Sequence, residues 1–211
     1  DRRQRQWVSL LAGYGVSPSD AYPAFDELVA AYSEPHRHYH NLGHVADVQR
    51  VAARLADVAT DPSAVALAVW YHDAVYDPRA KDNEARSAEL ASERLAALGL
   101  PSETVAEVAR LVNATAHFVA STEPIAGNTA VLLDADLAIL GASEERYQKY
   151  AAAIRAEYAF VPDDAYRTGR IAVLDAFLSR GRIYHTDRVH AEGDAPARHN
   201  LTTERAGLVV V

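Results

Sequence analysis

The sequence predicts an all-α protein, built as a single domain of about nine or ten helices. Alanine recurs throughout and β-branched runs are short, so helix propensity exceeds strand propensity over most of the chain. Apolar residues recur at helical spacing between recognisable start and stop signals. The 211 residues suffice for one sizeable core, and no repeat, low-complexity segment or composition shift marks a linker.

The first part of the chain predicts five helices. After the second helix, Pro35 breaks a histidine-rich loop. Asp61 followed by Pro62 is a strong helix start, because Asp caps free amides and Pro suits the first helical position. The fifth helix stops at Gly99. The predicted ranges are about 4–14, 19–32, 41–59, 61–75 and 82–99.

The second part of the chain predicts five more helical segments. Pro101 and Ser102 open the first, a loop over 121–128 follows, and Gly141 ends the very apolar segment after it. The stretch 182–194 lacks clear periodicity and is predicted as a loop. The predicted helical ranges are about 102–117, 129–141, 143–161, 162–181 and, as a short closing helix, 196–208.

The composition excludes several classes of protein. A net charge of −8, with acids and bases dispersed along the chain, argues against a broad nucleic-acid-binding face. No stretch approaches the roughly 18 apolar residues of a membrane-spanning helix, and no apolar signal core follows the first residues, so we expect a cytoplasmic protein. Because the chain has no Cys, any metal site must use His, carboxylate or water.

Two histidines lie on the faces of predicted helices that should turn inward. Four of the nine histidines fall within EPHRHYHNLGHVADV, residues 34–48. The last of them belongs to an apolar stripe with spacing 4, 3, 4, formed by His44, Val48, Val51 and Leu55. In the next helix His72 shares a stripe with Val65 and Val69, and Asp73 is adjacent. A buried imidazole beside a carboxylate needs a partner.

Two further carboxylates, Asp134 and Asp136, lie within an almost wholly apolar segment, where an unpaired charge would cost several kcal/mol. A divalent cation held by His44, His72, Asp73 and one of these two aspartates would satisfy all of the groups together. The alternative is that each group is separately hydrogen-bonded in a helical core. Separate hydrogen bonding would explain any one of these residues alone. Three inward-facing polar sites on three different helices are better explained by a shared metal ion.

These motifs resemble the signature of the HD-domain metal-dependent phosphohydrolases, which is a His, a His-Asp pair and a distant Asp. The resemblance covers about residues 32–140, and the C-terminal helices over 143–211 look like an uncharacterised bacterial subgroup of that family. It implies an HD-type helical bundle with His44, His72, Asp73 and Asp136 as metal ligands. Asp136 is preferred because the family's ligand typically precedes a bulky residue, here Leu137, although periodicity leaves Asp134 open.

The same resemblance implies two groups that handle protons. YHNLGH is similar to a stretch of cyclic-nucleotide phosphodiesterases whose first His, here His40, donates a proton to the leaving group. HDAVYD is similar to the HDxxED run of alarmone hydrolases, which makes Asp77 a possible base, although Tyr76 replaces the first acid. The alternatives are a surface histidine at a helix start and a turn residue before Pro78.

Three more side chains are candidates for binding substrate. Arg37 and Lys81 lie near the motifs and could bind phosphate, Arg through its bidentate fork. His117, near the end of its helix, could contact substrate or join a second metal. The alternatives are solvated surface charges and, for His117, a histidine favoured by the helix C-terminus.

We therefore expect a hydrolase that uses one or two divalent ions, which could be Mn, Fe, Co, Ni, Zn or Mg. Such an ion lowers the pKa of bound water for attack on phosphorus. The expected substrate is a nucleotide or another small phosphate ester. The alternatives are an HD-type di-iron oxygenase, for which His117 and Asp77 would be the extra ligands, and a metal-containing binding module without turnover. The sequence leaves the oligomeric state open.

Overall fold

The protein is described here by a computed structural model covering residues 2–116 and 125–209. Over these residues the chain forms ten α-helices and one 3₁₀ helix, and no strand. The predicted all-α class is therefore confirmed. The helices are α1 (Arg2–Ala12), α2 (Pro18–Tyr32), α3 (Leu42–Arg54), α4 (Pro62–Tyr71), α5 (Asn83–Ala97), α6 (Ser102–Ala114), α7 (Gly127–Asp136), the 3₁₀ helix (Leu137–Gly141), α8 (Glu144–Glu157), α9 (Asp163–Leu178) and α10 (Asp187–Val209).

The buried apolar side chains form two clusters that meet at the end of α7. The first cluster joins α1 to α7, and Trp7 packs edge-on against Trp70 with ring centroids 5.6 Å apart. The second joins the 3₁₀ helix to α8, α9 and α10 around Tyr184. Ala135 belongs to the first cluster and Leu137 to the second. Asp136 therefore lies at the junction of the two clusters.

Helix α4 is the central helix of the first cluster. Its first turn is capped by Asp61, whose Oδ1 accepts the Ala64 N–H at 2.9 Å, as the Asp-Pro signal predicts. Seven of its residues are buried, so it is apolar on all sides. It ends at Tyr71, before the predicted end at Val75, and His72 and Asp73 follow immediately. The third helix also ends early, at Arg54 instead of Ala59.

The predicted loop over 182–194 was wrong in its second half, because α10 begins at Asp187 and runs through Pro196. Gly193 lies within α10 and packs closely against Tyr184, since a Cβ on Gly193 would lie 3.0 Å from a ring carbon of that residue. The lack of clear apolar periodicity therefore did not exclude a helix whose residues are selected by tertiary contact.

In the part of the chain that the structure describes, no helix is long and apolar enough to cross a membrane. The cytoplasmic location expected from the sequence stays a prediction.

We expect Gly141→Ala to destabilise the fold, because the 3₁₀ helix touches α10 at this residue. An added Cβ would lie 2.8 Å from the Gly193 carbonyl oxygen and 3.0 Å from the Tyr184 hydroxyl. Overpacking of this kind costs about 1–3 kcal/mol, measurable by urea unfolding. The matched control is Gly181→Ala, where a Cβ meets no atom within 4 Å. Equal stability of the two variants would contradict the assigned packing.

Candidate metal centre

Three elements bring four predicted ligands to one point. His44 lies in the first turn of α3, whose start is capped by Asn41 through the Gly43 N–H at 2.8 Å. His72 and Asp73 follow the last residue of α4. Asp136 is the last residue of α7. Each side chain therefore lies at or near a helix end, where the backbone direction changes and neighbouring helices converge.

The ligand atoms of His44, His72 and Asp136 are close enough to share one cation, and Asp73 lies beside the two histidines. His44 Nε2 and His72 Nε2 lie 3.0 Å apart. Asp136 Oδ1 lies 3.1 Å from the first nitrogen and 3.6 Å from the second. Asp73 Oδ2 lies 3.4 Å and 3.0 Å from the same two nitrogens. Two ligand atoms about 2.1 Å from one metal ion are roughly 3.0–3.4 Å apart, so the spacing fits a coordination shell.

The hydrogen bonds around His72 fit it as a ligand. Its Nδ1 lies 2.8 Å from the Val69 carbonyl oxygen, so Nδ1 carries the proton and the lone pair of a neutral ring is on Nε2. Metal-binding histidines are commonly oriented in this way by a carbonyl. His44 and His72 are both buried. His44, His72 and Asp136 could hold a metal ion, since their ligand atoms all lie within 4.8 Å of one another.

The electrostatics of the cluster favour a positive charge at its centre. Burial lowers the pKa of His72, but Asp73 and Asp136 outweigh it and hold that pKa well above its usual range. The pKa of His44 is raised by the same two carboxylates against the effect of burial. Burial raises the pKa of Asp73, and the histidines more than reverse it. A proton or a metal ion would therefore be stabilised at this position, and the two would compete.

Asp134 has a different role from Asp136. It is fully buried, and its carboxylate accepts hydrogen bonds from the His185 N–H, the Thr186 N–H and the Thr186 hydroxyl, each at 2.7 Å. These donors lie immediately before α10, so Asp134 fixes the start of that helix. The geometry thus agrees with the preference for Asp136 in the cluster, and Asp134 caps neighbouring amides.

Arg37 is a correction to the predicted phosphate contacts. Its side chain is fully buried, and its guanidinium donates to the carbonyls of His40, Asp73 and Ala74 at 3.1, 2.7 and 3.0 Å. A fourth bond, at 3.0 Å, reaches the Glu34 carboxylate. A guanidinium with four of its five N–H donors engaged joins two segments of the chain, and it is not an open phosphate ligand.

Asp77 is a second correction. It is exposed, and its carboxylate accepts the Arg79 N–H at 2.9 Å. The Asp77 backbone N–H donates to Asn83 Oδ1 at 3.0 Å, and Asn83 Nδ2 donates to the Asp77 carbonyl at 2.8 Å. The residue therefore stabilises a turn, as the alternative interpretation held, and does not present a base to the cluster.

The other two predicted substrate contacts are Lys81 and His117. Lys81 is exposed on the segment between α4 and α5. His117 lies outside the described residues, so its predicted role stays a prediction.

His40 forms a pair with a residue that sequence analysis missed, Glu157. His40 Nδ1 lies 2.7 Å from Glu157 Oε2, and the backbone N–H of His40 donates to Oε1 at 2.9 Å. The Tyr39 N–H and the Tyr76 hydroxyl also donate to this carboxylate, each at 2.7 Å. His40 itself lies just before α3, with its ring centroid 5.7 Å from that of His44.

The sequence contains one signal that could have revealed Glu157. It continues an apolar stripe of α8, formed by Tyr147, Tyr150, Ile154 and Glu157 at spacing 3, 4, 3. A carboxylate on such a stripe faces inward, and its side chain is indeed fully buried. Its partners lie 81 to 118 residues away, which no local pattern identifies.

Comparison of the chain with protein-family models, with curated proteins and with solved structures finds no match.

We expect Asp136→Asn and Asp134→Asn to separate metal binding from stability. Asp136→Asn removes a negative charge from the cluster, so Mn²⁺ retained after dialysis should fall sharply. Asp134→Asn replaces an acceptor of three hydrogen bonds with a group that is partly a donor. It should retain Mn²⁺ but lose about 1–3 kcal/mol of stability. Loss of Mn²⁺ from Asp134→Asn, with full retention by Asp136→Asn, would contradict the assignment of Asp136 to the metal centre.

The Glu157 carboxylate should make stability depend on acid pH. Burial raises its pKa, but the hydrogen bonds and charge of His40 and the two backbone N–H groups outweigh burial and lower that pKa to about 2, from an ordinary 4.5. A folded-state pKa below the unfolded value stabilises the protein above about pH 4.5, and this contribution is lost as the pH falls toward 2.

The measurement compares wild type with Glu157→Gln, both free of metal. Between about pH 6 and pH 3, the wild type should lose about 2 kcal/mol more unfolding free energy than the variant. If the difference in unfolding free energy between wild type and Glu157→Gln stays constant with pH, Glu157 is not held ionised by its partners.

Proposed function

We propose that the protein is a divalent-metal-dependent phosphohydrolase of the HD type, which hydrolyses a small phosphate ester. The observation that carries the proposal is the cluster of two buried His Nε2 atoms and two partly buried Asp carboxylates, with the His40–Glu157 pair beside it. The chain order of His44, His72-Asp73 and Asp136 also resembles the HD signature. Neutral imidazoles with carboxylates suit Mn, Fe, Co, Ni or Zn.

The four residues of the cluster would hold the ion. When bound, a divalent cation supplies polarisation of a phosphoryl oxygen and lowers the pKa of a coordinated water molecule. The carboxylates of Asp73 and Asp136 balance its charge, while the Val69 carbonyl keeps His72 in the tautomer that presents Nε2. Burial keeps the His44 and His72 side chains in fixed positions.

His40 is the proposed general acid for the leaving group. Its Nδ1 is engaged by Glu157, which leaves Nε2 as the ring nitrogen that can exchange a proton with substrate. Glu157 is a positioning residue, because it holds both the ring and the backbone N–H of His40. Tyr76 bonds the same carboxylate and limits its rotation.

The two alternative functions are a di-iron oxygenase and a metal-containing binding module without turnover. A di-iron oxygenase needs further ligands, and Asp77, one of the two available, is exposed in a turn. Among the described residues one group of potential metal ligands meets at a single point. A binding module without turnover has the same cluster, so an activity measurement distinguishes it from a hydrolase.

The test is phosphate release by protein stripped with chelator and then supplied with each divalent metal in turn. We expect metal-dependent hydrolysis of both p-nitrophenyl phosphate and an alkyl phosphate. His40→Ala should lower turnover of the alkyl ester by about 10²–10⁴ and spare p-nitrophenyl phosphate, because p-nitrophenolate leaves without protonation. Metal stoichiometry should not change.

The matched control is His38→Ala, since His38 is exposed two residues away. It should leave both activities intact. Absence of phosphate release with every metal would overturn the hydrolase proposal in favour of a binding module. Equal loss of both substrates in His40→Ala would refute the general-acid role alone.

A further inference from the structure

A cavity of about 470 Å³ opens directly beside the cluster, between the 3₁₀ helix, α8 and α9. Asp136 of the candidate metal centre and His40 of the His40–Glu157 pair are both among its lining residues, so the cavity borders the centre and the proposed general acid. Its volume lies within the range of about 300–1,000 Å³ typical of small-molecule sites. A molecule that reaches the cluster through this opening must therefore place its other end in the cavity.

The wall of the cavity is aromatic and aliphatic. Four tyrosine rings line it, together with leucine, isoleucine and valine side chains from the 3₁₀ helix, α8 and α9. Tyr39 and Tyr150 pack edge to face with ring centroids 4.7 Å apart, which gives the part nearest His40 a fixed aromatic surface. The four tyrosines are Tyr39, Tyr150, Tyr158 and Tyr166.

The cavity offers almost no free charge. Apart from His40 and Asp136, the one charged side chain among its described lining residues is Arg170. Arg170 donates to Glu204 through Nε at 2.7 Å and Nη2 at 3.0 Å, so its charge is balanced within the protein. The described lining contains no Lys, Ser, Thr, Asn or Gln. A second phosphate would find no free cation among these described residues, and the polar groups offered to a nucleobase are mainly the tyrosine hydroxyls.

We propose that this cavity binds the uncharged, apolar group of a phosphate monoester, an aromatic or alkyl group, while the phosphate lies at the metal centre. The inference rests on the proposed function and narrows it. Monoesters of apolar alcohols are the preferred substrates, ahead of nucleotides and polyphosphates. The cavity wall supplies binding through area removed from water, and the centre supplies the chemistry.

Two small residues of α9 allow the cavity to be filled without disturbing the fold. Ala165 and Gly169 line it one helical turn apart, and a Cβ on Gly169 meets no atom within 4 Å. Leucine also has a higher helix propensity than glycine, so Gly169→Leu is not expected to unfold the protein. Gly207 is the matched control, because it is helical, equally open and absent from the described lining.

The first experiment measures binding of 2-naphthol, an uncharged aromatic probe, to metal-free protein by fluorescence titration. Wild type and Gly207→Leu should bind one equivalent with the same affinity. Gly169→Leu and Ala165→Leu should each bind at least about tenfold more weakly, because their side chains occupy the space. No saturable binding to wild type, or unchanged binding to both cavity variants, would overturn the inference.

The second experiment compares ethyl phosphate with 2-phenylethyl phosphate on Mn²⁺-loaded protein, since both leaving groups are primary alcohols. We expect kcat/KM to be at least about tenfold higher for the phenylethyl ester, and Gly169→Leu to abolish that preference. A higher kcat/KM for adenosine monophosphate than for the phenylethyl ester would overturn the inference. If naphthol binds as expected but no ester is hydrolysed, the proposed function fails and the assignment of the cavity stands.

Discussion

The structure depends on how α4 ends inside the protein. A helix leaves its last carbonyls without partners, and in a buried position each unpaired carbonyl would be costly. Here the Val69 carbonyl faces His72 Nδ1, and the Trp70 carbonyl accepts a hydrogen bond from the Tyr32 hydroxyl. Just beyond the helix, Arg37 donates to the carbonyls of Asp73 and Ala74. The positive charge of the Arg37 guanidinium is also electrostatically favourable at the C-terminal end of a helix. Because α4 stops here, His72 and Asp73 can leave the helix and face His44.

The end of α7 joins this arrangement to the C-terminal helices. Asp134 and Asp136 are two residues apart and therefore point in different directions on the helix. The Asp134 carboxylate accepts hydrogen bonds from the backbone N–H groups before α10, and the Asp136 carboxylate faces His44 and His72. Glu157 of α8 crosses the same junction to hold His40. The four proposed ligands lie on or directly after helices of the first apolar cluster, whereas the His40–Glu157 pair forms only when α8 has packed against them.

Much of the fold and of the cluster could be predicted because short-range patterns encode them. Helical periodicity and caps such as Asp61 act over a few residues, and they predicted the class and most helices. Inward stripes identified His44 and His72, and the cost of a buried charge pointed to the DAD segment. The predictions failed where a residue's role depends on distant partners. Arg37 has the residue type of a phosphate ligand, yet carbonyls 36 and 37 residues away engage it.

Periodicity and desolvation cost are properties of neighbouring residues, so the amino-acid sequence is enough to predict an all-α chain with inward-facing histidines and carboxylates. Tertiary packing selects the aspartate that faces the histidines, because Asp134 and Asp136 differ in what surrounds them. It alone brought Glu157 to His40, across 117 residues. It also formed the apolar cavity beside the cluster from the 3₁₀ helix, α8 and α9. Such contacts depend on how helices pack, which no local pattern specifies.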